Sequence, residues 1–342
     1  MVFPEYLHFS DNPAKTLQDL IGAFAPDQFA VLVDELTAQH CLPLLQTDAP
    51  VIRIKSGEEE KTIATCEYIW SEMTRLGFSR KSMLINLGGG VIGDMGGFAA
   101  ATYKRGIRFI NFPTTLLSMV DASIGGKLGI DFHGLKNHIG VFQEPDAVVV
   151  CSAFLQTLPK RQIRSGFAEV LKHGLIKNKA YWYRVKIIDL ENQIWDDIIA
   201  ESIKFKHEVV SADPQESGLR KILNFGHTLG HAIESHFLET NEPLLHGEAI
   251  AIGMVLEAHL AWQKRLLSID ECEEIVAVMR SYYGLPPLPD VRELEMHLLQ
   301  DKKNSEGRLK FALLNTIGNC HYDVVVDLEE IRRAVVYYHA IR

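Results

Sequence analysis

The sequence lacks the features that would tie a protein to nucleic acid, to a membrane or to an oxidising compartment. No basic tract occurs anywhere, and 44 acidic against 35 basic residues leave a formal charge of -9. Non-specific nucleic-acid binding needs a basic surface, so that class of partner is excluded, while a local cationic pocket for a small anion is not. Every long apolar run is broken by Glu, His, Lys or Asp before it reaches the length of a membrane span. The opening residues, MVFPEYLHFSDNPAK, are acidic and polar where a secretory signal has a charged start and an apolar core. The five cysteines (Cys41, Cys66, Cys151, Cys272, Cys320) are odd in number, widely spaced and without a C-x-x-C pair. That argues against a disulfide framework and for reduced thiols in a cytoplasmic protein. Internal repeats and low-complexity segments are also missing.

What is present is an ordinary globular composition, 47% hydrophobic and 23% charged, over 342 residues. A chain of that length exceeds what one core usually supports, so two domains are expected.

The most informative stretch is Met83-Leu-Ile-Asn-Leu-Gly-Gly-Gly-Val-Ile-Gly-Asp-Met-Gly-Gly97. Its apolar start predicts a buried strand, and the glycine cluster breaks that strand just before a helix. Gly88, Gly90 and Gly93 fit G-x-G-x-x-G, a turn that can take positive φ and bring N–H groups close to a pyrophosphate at a helix N-terminus. The plain alternative is a tight strand-to-helix turn with no ligand.

Around it, Phe29–Val33, Val51–Ile54, Arg108–Phe112 and Ala147–Val150 read as strands. Residues 60 to 76 read as a helix, with Ile63, Tyr68, Ile69, Met73 and Leu76 on one face, and the helix after the glycines runs to about Thr102. Strands alternating with helices predict an α/β fold, an N-terminal doubly wound, Rossmann-like parallel-sheet domain over residues 1–152. Beyond it, amphipathic stretches at 162–176, 195–210, 223–236, 247–264 and 269–283 predict a mainly α-helical domain over 153–342. Strand-like runs there are confined to 311–314 and 322–326. One detail departs from the usual dinucleotide pattern. The glycine motif follows about the third strand, and the segment near Asn111 offers no acid for a ribose, which leaves Asp34 and Glu58 as the ribose partners.

Asn224-Phe-Gly-His-Thr-Leu-Gly-His231 puts His227 and His231 at i and i+4 on one helical face, a spacing that can hold a divalent metal or serve two hydrogen-bonded core histidines. His246, opening another helix, and Glu169, one turn before Lys172, are further ligand candidates. Arg105, Lys127, Lys136, Lys172, Lys206, Arg220, Lys302 and Lys303 form a cationic set in a net acidic protein. Singly each reads as a surface cation, but together they suit an anionic substrate carrying phosphate or carboxylate.

Ten motifs in order give these residues a recognisable frame: Ser56-Gly-Glu-Glu-Glu-Lys61, Gly88-Gly-Gly-Val-Ile-Gly-Asp94, Tyr103-Lys-Arg-Gly106, Pro113-Thr-Thr-Leu116, Val120-Asp-Ala-Ser-Ile-Gly-Gly-Lys127, Lys136-Asn137, Ala168-Glu-Val-Leu-Lys172, Asn224 to His231, His246-Gly-Glu248 and Asp301-Lys-Lys303. The sequence resembles the 3-dehydroquinate synthase family, within the sugar phosphate cyclase group, from about Ser56 to Lys303. The last forty residues carry little of the likeness.

The resemblance implies a shikimate-pathway lyase that converts DAHP (3-deoxy-D-arabino-heptulosonate 7-phosphate), an anionic sugar acid phosphate, to 3-dehydroquinate and phosphate. It implies catalytic NAD, a divalent metal (Zn2+ or Co2+) and a homodimer. By the same resemblance the metal ligands are Glu169, His227 and His246, while His231 moves from the ligand role offered by spacing to the substrate site. NAD contacts fall on Asp34, Glu58, Lys61, Gly89, Gly90, Val91, Asp94, Thr114, Thr115, Leu116, Asp121 and Lys136. Substrate contacts fall on Lys127, Asn137, Lys172, Lys206, Glu216, Arg220, Asn224, His231 and one of Lys302 or Lys303. Arg105 matches an arginine that reaches the neighbouring subunit's phosphate site. One departure is Asp34-Glu-Leu36 where the family has Asp-x-Asn, which removes a polar contact to NAD. The competing expectations are a sister cyclase, a metal- and NAD-dependent polyol-phosphate dehydrogenase, and a non-catalytic nucleotide-binding scaffold.

Overall fold

The computed structural model describes residues 3–133, 135–238, 240, 242–300 and 309–342, the side chains of 299 and 300 excepted. By its internal contacts the chain divides into two units, Met1–Pro159 and Lys160–Arg342. Residues 153–159, which the sequence pattern assigns to the second half, group with the first unit, and 153–157 of them lie in a 3-10 turn, Ser152–Thr157.

The first unit contains β1 (Leu7–Phe9), α1 (Pro13–Phe24), β2 (Phe29–Val33), α2 (Glu35–His40), β3 (Val51–Arg53), α3 (Ile63–Arg75), β4 (Met83–Gly88), α4 (Gly90–Thr102), β5 (Arg108–Pro113), β6 (Lys127–Phe132), β7 (Leu135–Phe142) and β8 (Ala147–Val150). Six strands form one parallel sheet in the order β1-β8-β5-β4-β2-β3. All six residues of β4 are buried, as a central strand covered on both faces requires. From β2 the chain passes outward to the edge strand β3, then returns to lay β4 on the other side of β2 and continues through β5. β2 and β4 are therefore neighbours whose onward connections leave in opposite directions, and the ends of such a pair open a crevice. Asp34 follows one and the glycine cluster follows the other.

Helix α4 sits close to the parallel sheet and to β6 because it carries glycine where it touches each of them. A Cβ on Gly96 would lie 2.1 Å from Asn86 Oδ1, and one on Gly97 would lie 2.5 Å from Leu128 Cδ2. The buried stripe of α3 is Thr65, Cys66, Ile69 and Met73. Ile63 and Tyr68, expected on that face, are 45% exposed, because the core is met by the i, i+4 row through Ile69. β6 and β7 form an antiparallel hairpin that the sequence pattern does not announce, with Gly129 paired to Gly140. A Cβ on Gly140 would sit 2.2 Å from Leu128 O.

The second unit contains α5 (Lys160–Lys177), α6 (Lys179–Val185), α7 (Asp196–Ala212), α8 (His227–Leu238), α9 (His246–Gln263), α10 (Ile269–Tyr283), α11 (Val291–Gln300), the antiparallel hairpin β9 (Leu309–Thr316) and β10 (Asn319–Val326), and α12 (Leu328–Ile341). Every residue of α9 from Gly247 to Ala261 is buried. A helix apolar on all sides is a core element, and α5, α8, α10 and α12 pack around this one.

Candidate active site

In the first unit, Gly89 caps α4 with extended backbone (φ -74°, ψ -166°) and has no side chain to occupy the helix N-terminus. The positive φ expected of this turn is not adopted by Gly88, Gly89, Gly90 or Gly93. At Gly88 and Gly89 the missing Cβ serves close approach instead. A Cβ on Gly88 would lie 2.4 Å from Ile92 Cβ and one on Gly89 would lie 3.1 Å from Thr115 Cγ2, while one on Gly93 would meet nothing within 4 Å. Residues 82–88 and 95–100 are buried, whereas Gly89, Gly90, Val91, Gly93 and Asp94 are half-exposed. The rim of this N-terminus thus offers N–H groups and the positive end of the helix dipole to an anion.

Asp34 caps α2, accepting from Thr37 N at 2.7 Å, while Asp34 N donates to Thr37 Oγ1 at 2.9 Å. Leu36, in the place of the family's polar residue, is 58% exposed. Thr114 and Leu116 are buried at the end of β5, Thr115 hydrogen-bonds Ser118, and Asp121 lies in a short π-helical turn, Ser118–Ala122.

A polar network joins the hairpin to α4. The buried Lys61 ammonium lies 2.7 Å from Asp94 Oδ2 and 2.6 Å from Asn137 Oδ1. Burial alone would push this lysine down, but Asp94 and Glu58 outweigh it and hold its pKa above the ordinary value. Lys136 Nζ lies 3.6 Å from Glu58 Oε1. Asn137 takes a left-handed φ of 49°, and its N–H donates to Asp131 Oδ1 at 2.7 Å. Burial raises the Asp131 carboxyl, against the pull of that N–H and of Lys61. Asn137, expected on substrate, is thereby bound into the same network as the NAD candidates Lys61 and Asp94. Asp131 carries no motif in the sequence, and its contacts follow from the β6–β7 hairpin, which the sequence pattern does not announce. Lys127 is exposed at the start of β6. Arg105 stands apart, in a surface pocket of about 420 Å³ that it lines with Arg80, Arg108, Glu144 and Asp146.

In the second unit, α5 carries Glu169, α8 carries His227 and His231, and His246 opens α9. Glu169 is 0% exposed, and neither carboxylate oxygen has a hydrogen-bond donor, though Oε2 touches the Lys172 ammonium. The Nε2 atoms of His227 and His246 face Glu169 Oε1 at 3.6 and 3.9 Å. Their Nδ1 atoms turn the other way, His227 to Phe225 O at 3.2 Å and His246 to Glu234 Oε2 at 3.2 Å. That is the arrangement of metal-ligating histidines, one nitrogen turned toward the carboxylate and the other fixed by an acceptor. Burial, then Lys172, then the neighbouring rings hold the His227 pKa well below its usual value, so the ring is neutral at pH 7 and able to ligate. A buried carboxylate held on one oxygen by a single ammonium is still under-satisfied, and a divalent cation among these three groups would offset that cost. The donor set of one carboxylate and two imidazoles fits zinc or cobalt with positions left for substrate oxygens. His227, His231 and His246 also offer ligand atoms within 4.8 Å of one another, so geometry alone admits an all-histidine set. The orphaned oxygens of Glu169 favour the set that includes it. Glu234, seven residues after His227 and on its helical face, was legible from spacing in principle but was not singled out.

Three expected substrate cations are buried in this unit, Lys172 on α5, Lys206 on α7 and Arg220 on the 3-10 turn Leu219–Asn224. The loop before that turn is organised by Asp213, whose carboxylate accepts from the N–H groups of Ser217, Gly218 and Arg220 at 3.0, 2.7 and 3.0 Å. The Gly218 N–H in particular helps to draw its pKa down to about 2. Asn224 Nδ2 donates to Glu216 Oε1 at 2.6 Å, with Glu216 in a left-handed turn at φ 59°. Lys302 and Lys303 lie outside the described residues. No helix among the described residues is long and apolar enough to cross a membrane.

With this geometry in hand, comparison with known proteins is informative. The family model described as 3-dehydroquinate synthase N-terminal matches residues 51–165, and that described as 3-dehydroquinate synthase C-terminal matches residues 166–304. Among curated relatives, the 3-dehydroquinate synthase of Parabacteroides distasonis is 39% identical over 334 residues, 94% of both chains. That of Sulfurovum sp. is 43% identical over 284 residues, 82% of this chain and 80% of the relative. Among solved structures, a 2-deoxy-scyllo-inosose synthase complexed with carbaglucose-6-phosphate, NAD+ and Co2+ superposes with a TM-score of 0.81 at 26% identity. It covers 96% of this chain and 95% of its own.

Proposed function

The chain belongs to the 3-dehydroquinate synthase family, and from that premise we propose how its own residues serve the reaction. The enzyme is a lyase that converts DAHP to 3-dehydroquinate and phosphate, with NAD and a divalent metal. Substrate and products balance without a net change in oxidation state, so NAD is regenerated in every cycle. When bound, NAD supplies a reversible hydride acceptor and the ion polarises substrate hydroxyls.

Glu169, His227 and His246 would hold the ion, zinc or cobalt, with Glu234 and the Phe225 carbonyl fixing the two imidazoles. Asp34, Glu58, Lys61, Gly89, Gly90, Val91, Asp94, Thr114, Thr115, Leu116, Asp121 and Lys136 would seat NAD, its pyrophosphate at the start of α4. Lys127 and Asn137 bind the substrate phosphate, and Arg220 and Lys206 bind its carboxylate. Lys172, held against Glu169, and His231, Glu216 and Asn224 complete the substrate contacts, with Lys302 or Lys303. Arg105 serves the phosphate of a neighbouring copy in a homodimer, which suits its place away from the NAD residues. A cytoplasmic location fits five buried cysteines, none of them in a disulfide. The observation that carries this reading is the fully buried carboxylate of Glu169, paired only with the Lys172 ammonium on one oxygen and faced on the other by two imidazole nitrogens whose partner nitrogens are already committed.

Two buried cations besides the metal cluster, Lys206 and Arg220, separate a carboxylate-bearing substrate from sugar phosphates that carry no carboxylate. Phosphate release from DAHP is expected to exceed that from glucose 6-phosphate by at least about 10²-fold, since a polar site built for a substrate group discriminates strongly against an analogue that lacks it. A coupled phosphate assay on both substrates measures the ratio. Equal rates would replace the present reading by that of a sister cyclase.

A further inference from the structure

A second buried carboxylate lies behind the metal cluster and is used by none of the steps above. Glu257, on α9, is 0% exposed, and its two oxygens accept from the backbone N–H groups of Gly226 at 2.6 Å and Leu229 at 3.1 Å. These N–H groups bracket His227, the first residue of α8. Gly226 has no side chain with which to cap the helix, so the acceptor comes from a residue 31 positions later on another helix. An anionic acceptor at a helix N-terminus makes short, strong hydrogen bonds and complements the helix dipole.

The contact is rigid because the two helices meet on glycine. Gly226 has φ +80°, and a Cβ there would lie 2.5 Å from Met254 Cγ. A Cβ on Gly253 would lie 1.9 Å from Gly226 O, and one on Gly230 would lie 2.8 Å from Ile250 Cδ1. α9 thus does two things at once. Its first residue is His246, and about three turns later its Glu257 fixes the start of the helix that presents His227. The relative placement of two ligands from different helices is thus set by these glycine contacts together with the two hydrogen bonds of Glu257.

We propose that Glu257 is a positioning residue that fixes the His227 imidazole against Glu169 and His246 and thereby sets the metal affinity of the site. The proposal rests on the reading of His227 as a ligand. Glu257→Gln keeps the volume but turns an N–H2 group toward one of the two backbone donors, and Glu257→Asp keeps the charge but draws the acceptors back by one methylene. In both, the dissociation constant for Co2+, measured by titration of the metal-free full-length protein, is expected to rise about 10- to 100-fold, the usual cost of losing an outer partner of a metal ligand. The visible d–d absorption of the Co2+-loaded protein should also change shape, while NAD affinity stays within twofold of wild type. A dissociation constant within twofold of wild type and an unchanged spectrum in either folded variant would overturn the proposal. The wild-type protein gives a variant-free check. Hydrogen exchange at the Gly226 and Leu229 amides should be slow with and without metal, and fast exchange at both would equally overturn it. His227→Ala separates the two levels: metal retained in that variant defeats the ligand reading, whereas metal lost there but unaffected by Glu257→Gln defeats this proposal alone.

Discussion

Replacing His227 by alanine is expected to remove the metal and to lower turnover by at least about 10³-fold, since an ion that polarises substrate oxygens contributes several kcal/mol to the barrier. The ring faces Glu169 Oε1 at 3.6 Å and is held from behind by the Phe225 carbonyl. Its removal leaves one carboxylate and one imidazole, too few to hold a divalent ion in competition with water. Dialysis followed by metal analysis reads the first effect and steady-state kinetics the second. Thermal melting gives a third, because free metal at a hundred times its dissociation constant stabilises the wild-type protein by about 2.7 kcal/mol. The variant should show no metal-dependent shift of its melting temperature. His231→Ala is the control that decides between the two geometrically possible sets. It should retain the ion and lose turnover, and loss of the ion there would move His231 into the ligand set. Full metal occupancy in His227→Ala would refute the assignment.

Lys61→Met is expected to have the largest effect on stability. Lys61 is 4% exposed and Asp94 20%, so the substitution removes a nearly buried cation together with its ion pair to Asp94 and its hydrogen bond to Asn137. Breaking a buried pair costs about 3–5 kcal/mol, and the partial exposure of Asp94 brings the expectation to about 2–4 kcal/mol. For a unit of this size that corresponds to roughly 5–15 °C in melting temperature. The pKa of Lys61 is raised in the folded protein, so its contribution is fully present below the unfolded-state pKa of about 10.4 and fades only as pH rises through the higher folded value. The gap between wild type and variant should therefore be constant from pH 6 to 9. NAD binding should weaken as well, because Asp94 borders the glycine rim of α4. Equal melting temperatures would show that the network carries no net stability.

Most strands were legible because they are short apolar runs buried on both faces, β4 being the clearest case. β1 was not, since three residues at a sheet edge leave no pattern. The β6–β7 hairpin was not, because its close approach depends on Gly129 and Gly140 and its outer strand carries Lys136, Asn137 and His138. The start of α8 reads from sequence as Leu223, but residues 219–224 form a 3-10 turn and the helix begins at His227. Asp213 and Glu257 fix this segment from outside it, and no local spacing encodes either. The site followed the same division. Glycines, histidines and the Glu169–Lys172 spacing are visible as motifs, whereas the groups that orient them lie on other elements. Even the glycine cluster was located for a reason the structure corrects, since it provides close contact rather than positive φ.

The most direct measurement follows phosphate and NADH together, with DAHP in large excess over NAD and metal supplied. The account predicts many phosphates released per NAD with no accumulation of absorbance at 340 nm. Phosphate release that halts at one equivalent per NAD, or NADH accumulating in step with substrate consumed, would contradict it.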